Sequence, residues 1–441
     1  MGYVLLIISA VIEIVLAVFC FRTRSNQKKI RSWVRIAELT LFVIFVLVSV
    51  IEWSFRWYIL AAILLVSAII GGVSLMLKKK EKEFGPVRIV LKGIALWLVV
   101  AIAVIPALVF PQYKLPEVTG KYKVETVAYT YTDNNRIETF NNLGQKRKAN
   151  IKFWYPATQG QKFPLVVFSH GAFGIRDSNT STFMELASNG YIVCSIDHPY
   201  HSLYTLDTDG KFTMVDSSFM QEVKDVNNGV YDDETAYKLE QKWLKVRTDD
   251  MNFVLDTIIK NSADKGSGQV YQLIDSNEIG LIGHSLGGAA SVQLGRERKD
   301  IDAVINLDAD LLGEVLGIEN GKAVINHEIY PVPLLSIYSD TMKKLMDDVT
   351  DPDVVIPQKL ISATAPNAYE VDIKGTNHMS LTDLPLVSPV LANMINGSVK
   401  NSGSEQKADK YYVIYTMNKT VRKFFDSYLK GKGSFDSAGT Y

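Results

Sequence analysis

Cysteine is nearly absent from this chain of 441 residues, which has only Cys20 and Cys194. One lies in an apolar run and the other in a strand-like segment, Tyr191–Asp197, so a disulfide framework is excluded. Both read as buried small hydrophobes. Histidine is scarce too, at six residues, and no His/Cys/Asp/Glu grouping has metal-site spacing. There is no glycine-rich phosphate loop, no dinucleotide fingerprint and no internal repeat, so no cofactor is expected. One stretch, Asn396–Lys410, is linker-like. A composition 47% apolar and 21% charged excludes a disordered or collagen-like chain.

Net charge is also lacking, with 47 Lys+Arg against 47 Asp+Glu, but the balance is uneven along the chain. Residues 1–112 hold 13 basic and 5 acidic residues, a charge of +8, and residues 113–441 hold 34 and 42, a charge of −8. The basic residues of the first part flank apolar runs rather than form a nucleic-acid surface, so nucleic acid is not an expected partner. Four such runs stand out: Tyr3–Phe21, Trp33–Ile51, Trp57–Leu77 and Ile94–Phe110. A helix of about 20 apolar residues spans a hydrocarbon core, so residues 1–112 are expected to form a region of four transmembrane helices. Basic residues stay cytoplasmic. Arg22, Arg24, Lys28, Lys29, Arg31 and Arg35 mark the first loop as inside, and Lys78, Lys79, Lys80, Lys82, Arg88 and Lys92 mark the third. The segment Glu52–Arg56 is nearly bare of them. The expectation is a multi-pass protein of the cell membrane, with its N-terminus and residues 113–441 extracytoplasmic. Glu13 and Glu38 fall inside apolar runs; intramembrane functional sites are one reading of them, but with no basic partner of matching depth helix-packing or lipid-interface groups are the preferred one.

From Tyr113 the pattern becomes alternating strands and helices. Expected strands are Tyr122–Thr132, Asn150–Tyr155, Leu165–Ser169, Tyr191–Asp197, Glu278–Gly283, Ala303–Leu307, Leu334–Tyr338 and Tyr369–Ile373. The central ones are short, continuous and rich in Val and Ile, as strands covered on both faces are. Glu234–Lys260 and the segment after Ser285 have helical spacing. The fold class expected is α/β, a mainly parallel sheet with helices on both faces and the first two strands as an antiparallel edge.

Gly283-His284-Ser285-Leu286-Gly287 sits between a buried strand and a small-residue helix. That is the context a nucleophile elbow of the α/β-hydrolase fold requires, since the strained turn tolerates no neighbouring Cβ atoms. Ser285 is the expected nucleophile, and the helix behind it offers backbone N–H groups to an oxyanion. Ser169-His170-Gly171-Ala172-Phe173-Gly174 follows a strand and would supply the second oxyanion donor. Ala172 is the first choice for it and Phe173 the next, with His170 bracing the loop. In this fold the order is nucleophile, acid, then base, which leaves His327 and His378. Position after the last strand selects His378. Asp308 and Asp340 each end a strand, and either could orient the imidazole.

Together with Phe168-Ser169-His170-Gly171, Asn306-Leu307-Asp308-Ala309 and Ile373-Lys374-Gly375-Thr376-Asn377-His378, the elbow resembles the plasma/type II platelet-activating factor acetylhydrolase family. That family groups with bacterial lipases and cutinases. The likeness runs from about Asn150 to Thr382, with the helix near Tyr411–Leu429 as its C-terminal one. It implies Ser285 as nucleophile, Asp308 as acid, His378 as base, and the Leu286 and Ala172 N–H groups as the oxyanion hole. Asp310 stands where the family typically has an aromatic residue, and in the related cutinases the acid falls one strand later, at Asp340. The expected activity is hydrolysis of a carboxylic ester of a lipid or other amphiphile. A peptidase, thioesterase or acyltransferase on the same fold, or a non-catalytic sensor, are the alternatives. Two polar inserts, Pro199–Asp233 and Leu311–Pro331, are read as candidate pocket walls, with Phe212, Met214, Phe219 and Met220 as apolar lining.

Overall fold

The computed structural model describes residues 1–77, 84–351, 354–398 and 407–441. Lys78, Lys79, Lys80 and Lys82, and most of the linker-like stretch Asn396–Lys410, lie outside the described residues. The chain divides into two compact units, Met1–Lys114 with Leu386–Leu391, and Leu115–Pro385 with Ala392–Tyr441.

The first unit is built on helices α1 (Gly2–Thr23), α2 (Lys28–Leu47), α3 (Tyr58–Met76) and α4 (Pro86–Val109). Among the described residues, three helical stretches are long and apolar enough to cross a membrane: Gly2–Thr23, Phe55–Met76 and Pro86–Val109. Four were expected. The second, α2, falls short because Lys28, Lys29, Arg31, Arg35 and Glu38 lie within it and shorten its apolar stretch. Arg35 is therefore a helix residue rather than a loop residue. Its Nη1 spans both oxygens of Glu38 at 3.0 and 2.8 Å, and its Nη2 bonds Glu13 on α1. The two carboxylates thus do have a basic partner. The reading of the sequence missed it because one helical turn separates Arg35 from Glu38, while the depth of Glu13 is set by the packing of a different helix. Close approach between α2 and α3 rests on Gly71, where a Cβ would lie 2.9 Å from the Ser32 carbonyl oxygen.

The second unit begins with β1 (Val124–Ile137), β2 (Lys146–Pro156), β3 (Phe163–Ser169), α5 (Thr180–Ser188) and β4 (Ile192–Asp197). The first insert follows as a small hairpin, β5 (Tyr204–Leu206) with β6 (Phe212–Met214), and then α6 (Ser217–Asn227). Next come the 31-residue α7 (Asp233–Ala263), the one-turn α8 (Gln269–Gln272), β7 (Ile274–His284), α9 (Leu286–Glu297) and β8 (Ala303–Leu307). The second insert folds as the hairpin β9 (Val315–Glu319) and β10 (Lys322–Ile325). The chain then runs through β11 (Leu334–Ser339), α10 (Asp340–Asp348), α11 (Pro357–Thr364) and β12 (Ala368–Ile373). It ends with α12 (Leu384–Val387), α13 (Pro389–Ser398), α14 (Lys410–Tyr428) and β13 (Gly439–Thr440).

Among the described residues, nine strands form one sheet in the order β1-β2-β4-β3-β7-β8-β11-β12-β13. The β1/β2 and β2/β4 pairs are antiparallel, and every pair from β4 through β13 is parallel. All eight expected strands are present. The short edge strand β13 and the two insert hairpins are additional, being too brief to show alternation in the sequence. Buried strand residues alternate between two cores, as period-2 geometry requires. From β3, Leu165 and Val167 face the core under α7 and α9, while Val166 and Phe168 face the one under α5 and α14. After β3 the chain first adds β4 on one side and later β7 on the other. The crevice at the C-terminal ends of β3 and β7 is therefore a topological switch point, where ligands bind in open α/β sheets.

The Arg35 cluster yields a test. Arg35→Met strands two carboxylates among apolar helices and is expected to cost about 3–5 kcal/mol. Thermal unfolding of the full chain in detergent should show a clear drop, which adding Glu13→Gln and Glu38→Gln should largely reverse. An unchanged midpoint for the single variant would contradict the pairing.

Candidate active site

Strand β7 ends at His284 and α9 begins at Leu286, leaving Ser285 alone on the turn with φ 52° and ψ −128°. A non-glycine residue with positive φ is strained, and such strain collects at functional sites. The surrounding glycines are required by contact. A Cβ at Gly283 would lie 2.1 Å from the Gly287 carbonyl oxygen, and one at Gly287 would lie 2.0 Å from the Ser169 carbonyl oxygen. Ser285 N–H donates to Leu307 O at 2.9 Å, tying the turn to β8. Leu286 opens α9, so its N–H has no carbonyl within the helix to bond.

The loop after β3 faces this turn. A Cβ at Gly171 would lie 3.1 Å from Ser285 Cβ. Phe173, the second choice for an oxyanion donor, has φ 62° and gives its N–H to His201 O at 3.1 Å. Ala172 N–H has no acceptor among the described residues.

The two candidate acids part company. Asp308 follows β8 at φ 55°, and its buried carboxylate accepts from Ser339 N–H (2.7 Å), Ser339 Oγ (2.8 Å) and His378 Nδ1 (2.9 Å). Asp340 is the first residue of α10, which Ser339 caps by accepting from Met342 N–H at 3.2 Å. The Asp340 carboxylate turns instead to Lys374 Nζ, at 3.2 Å, and to Gly375 N–H. The structure therefore brings Asp308 to His378 and leaves Asp340 away from it. His378 starts a one-turn 3-10 helix, His378–Leu381, fixed by a capping box between Asn377 and Ser380.

His284 has a role the sequence did not reveal. Its Nε2–H donates to the His378 carbonyl oxygen at 3.0 Å, and the two rings lie 4.5 Å apart. Burial, then the neighbouring His378, pushes its pKa down to about 3, so it stays neutral and braces the backbone of His378. His170 is also buried and held well below its ordinary pKa, chiefly by burial, and its Nδ1–H donates to Gly171 O at 2.6 Å. That is the bracing role expected of it. Ser339 was not singled out either, since a strand-end serine carries no local signal for its partner.

The first insert supplies one side of the crevice. Phe219 is buried and packs with Trp243, Leu286, Ala172 and Phe173. Phe212 and Met214, on the hairpin, are 57% and 53% exposed, and Met220 is also exposed, so of the four expected lining residues Phe219 alone reaches this cluster.

Residues 135–439 match the family model described as platelet-activating factor acetylhydrolase, isoform II. The platelet-activating factor acetylhydrolase of Canis lupus familiaris is 27% identical over 306 residues, covering 65% of this chain and 64% of that protein. The Gallus gallus protein of that name is 24% identical over 297 residues, covering 63% and 64%. The chain thus spans just under two thirds of the length of these relatives. A probable 1-alkyl-2-acetylglycerophosphocholine esterase of Arthroderma benhamiae is 30% identical over 154 residues, covering 35% of this chain and 33% of its own. Among solved structures, a ferulic acid esterase from Streptomyces cinnamoneus superposes with a TM-score of 0.56 at 20% identity, covering 74% of this chain and 96% of its own, which shows the shared fold.

Stability of this region should depend on pH. His170, His198, His201 and His284 are all held neutral, mainly by burial. Their folded pKa values lie below the ~6.5 of an unfolded chain, so below that pH the unfolded state binds more protons. Their contribution is full above pH ~6.5 and is lost as pH falls, each by up to ~1.4 kcal/mol per pH unit. The urea midpoint should fall steeply between pH 7 and pH 5. A flat midpoint would mean that these imidazoles are not buried as neutral groups.

Proposed function

Because the chain belongs to the platelet-activating factor acetylhydrolase isoform II family, we propose that it hydrolyses a carboxylic ester of a lipid-like amphiphile through an acyl-serine intermediate. The observations that carry this reading are the Asp308–His378 bond of 2.9 Å and a serine held on a strained strand-to-helix turn. His378 Nε2 takes the Ser285 proton as Oγ attacks the ester carbonyl. Asp308 fixes the tautomer by accepting from Nδ1–H and stabilises the imidazolium that forms. The Leu286 and Ala172 N–H groups receive the oxyanion, usually a large term in such chemistry. His378 then protonates the departing alcohol, and water activated by the same imidazole releases the acid. The relatives' names support an acetyl or other short acyl ester of a glycerophospholipid as the substrate.

The reading extends to location. The three apolar helices support a multi-pass protein of the cell membrane. The basic residues at Arg22–Arg31 and at Arg88 and Lys92, with Lys78–Lys82, support an extracytoplasmic N-terminus and hydrolase unit. That arrangement needs an even number of crossings and therefore requires α2 to cross as a fourth span despite its charges. Protease added outside intact cells should digest residues 113–441; digestion only from the cytoplasmic side would reverse this topology.

A fluorophosphonate probe should label the full chain in detergent at Ser285 and fail to label Ser285→Ala. Absence of labelling in the wild type would defeat the hydrolase reading. Turnover of short-chain p-nitrophenyl esters should exceed that of matching thioesters and amides. Among acid variants, Asp308→Asn is expected to lower kcat by about 10³–10⁴-fold through loss of the correct tautomer. Asp340→Asn should stay within about tenfold of wild type. Loss confined to Asp340→Asn would assign the acid there instead.

A further inference from the structure

Beneath the loop that carries Ala172 lies a side chain that the proposed mechanism does not use. Arg247, from the middle of α7, is wholly buried at 0% exposure. Its Nη1 donates to His170 O at 2.7 Å and its Nη2 to Gly171 O at 3.2 Å. Nε donates to His201 Nδ1 at 3.2 Å, and Nη1 also approaches Ser169 Oγ at 3.5 Å. No carboxylate pairs with it among the described residues. Asp250, three residues further along its own helix, is already engaged by Arg147, Arg136 and His198. Asp197 accepts from Arg176 N–H at 2.6 Å. A full guanidinium charge is thus placed against two consecutive peptide carbonyls, with no anion in contact to cancel it.

The second of those carbonyls matters most. Gly171 C=O and Ala172 N–H belong to one planar trans peptide, so they point in opposite directions. A donor that holds the carbonyl on the α7 side turns the N–H to the other side. Gly171 O accepts from three donors: Arg247, His170 Nδ1 at 2.6 Å and Gly174 N–H at 3.1 Å. The last two are neutral and belong to the loop itself. Arg247 alone among them comes from another element and carries charge. Hydrogen bonds in a low-dielectric interior polarise one another, so a cation on the carbonyl makes the N–H of the same peptide a stronger donor.

We infer that Arg247 is a positioning residue for the proposed ester hydrolysis, presetting and polarising the Gly171–Ala172 peptide so that Ala172 N–H binds the oxyanion of the tetrahedral intermediate. This rests on the serine-hydrolase reading above. Burial is the main cause that lowers the Arg247 pKa, to about 9, which leaves the group charged at neutral pH. Removing a direct oxyanion donor costs about 10²–10³ in kcat. A group acting through one peptide is expected to cost about 10- to 100-fold.

The test uses the full chain in detergent, with active sites counted by fluorophosphonate titration so that misfolded protein drops out of the rate. Arg247→Gln keeps a hydrogen-bonding side chain without the charge, and Arg247→Lys keeps the charge without the fork. Per titrated site, Arg247→Gln should lose about 10- to 100-fold in kcat with KM within about twofold. Its affinity for a trifluoromethyl ketone analogue of the substrate should weaken in parallel with kcat/KM. Arg247→Lys should fall between Arg247→Gln and wild type on both measures. A merely structural arginine would lower the number of titrated sites and leave kcat and ketone affinity per site unchanged; that result, or a loss confined to KM, overturns the inference. If Arg247→Gln yields no titratable protein, Arg247→Lys decides by the same two measures. A wild type that is not labelled at Ser285 would instead overturn the hydrolase reading, and this inference with it.

Discussion

The site depends on one contact between two stretches of backbone. Gly287, in the first turn of α9, lies so close to the carbonyl of Ser169 at the end of β3 that no side chain fits between them. This contact sets the separation of the β3 loop from the Ser285 turn, and hence of Ala172 from Leu286. Parallel pairing of β3 with β7 brings the two strand ends level, and the missing Cβ atoms let the chain close the remaining gap. The strained φ of Ser285 and the fixed place of the Gly171 peptide follow from that closure. Close packing makes such an arrangement stiff, which suits groups that must be aligned before substrate arrives.

Behind the contact lies an unusually polar interior. Ser169, His170, His198, His201, Arg247 and Asp250 are all buried. Buried polar groups are costly unless bonded, and here most find partners in one another, while the His170 ring bonds Gly171 O and Ser202 Oγ. Ser169 Oγ lies 3.0 Å from His198 Nε2, whose Nδ1 lies 3.1 Å from Asp250. This second serine–histidine–aspartate series is sealed from solvent, so it has no substrate to act on. It fixes the tautomer of His198, while Arg136 and Arg147 occupy the Asp250 carboxylate beside it.

How much of this was legible in the sequence depended on the range of the interaction that fixes each feature. The strained turn at Ser285 was legible because its requirement is local: a strand, a turn flanked by glycines, and a small-residue helix. The strands were legible because a sheet buried on both faces leaves short apolar runs. The choice of His378 as the candidate base followed from chain order together with its place after the last central strand. The choice between Asp308 and Asp340 was not legible from residue pattern, since both end strands of similar composition. What separates them is that Ser339 caps α10 and bonds Asp308 at once, a tertiary fact. Arg247 was hidden for another reason. It stands in a helix dense with Lys245, Asp249 and Asp250, which reads as a solvated face until the packing shows which side is inside. Arg35 was misplaced in the same way, as a loop charge, because its partners lie on two helices.

The first insert is less separable from the catalytic frame than its polar sequence suggested. Its opening residues take the Phe173 N–H on His201 O and set Ser202 Oγ 2.8 Å from His170 Nε2, while Leu203 N–H returns to Gly174 O at 3.1 Å. Phe219, further along, packs against Ala172 and Leu286. A segment stitched in this way is not an exchangeable cassette. Grafting a foreign pocket wall between Pro199 and Asp233 would replace part of the scaffold that holds the Gly171–Gly174 loop. On the proposed mechanism selectivity and rate are therefore inherited together, and redesign of one has to begin by preserving the seam with the other.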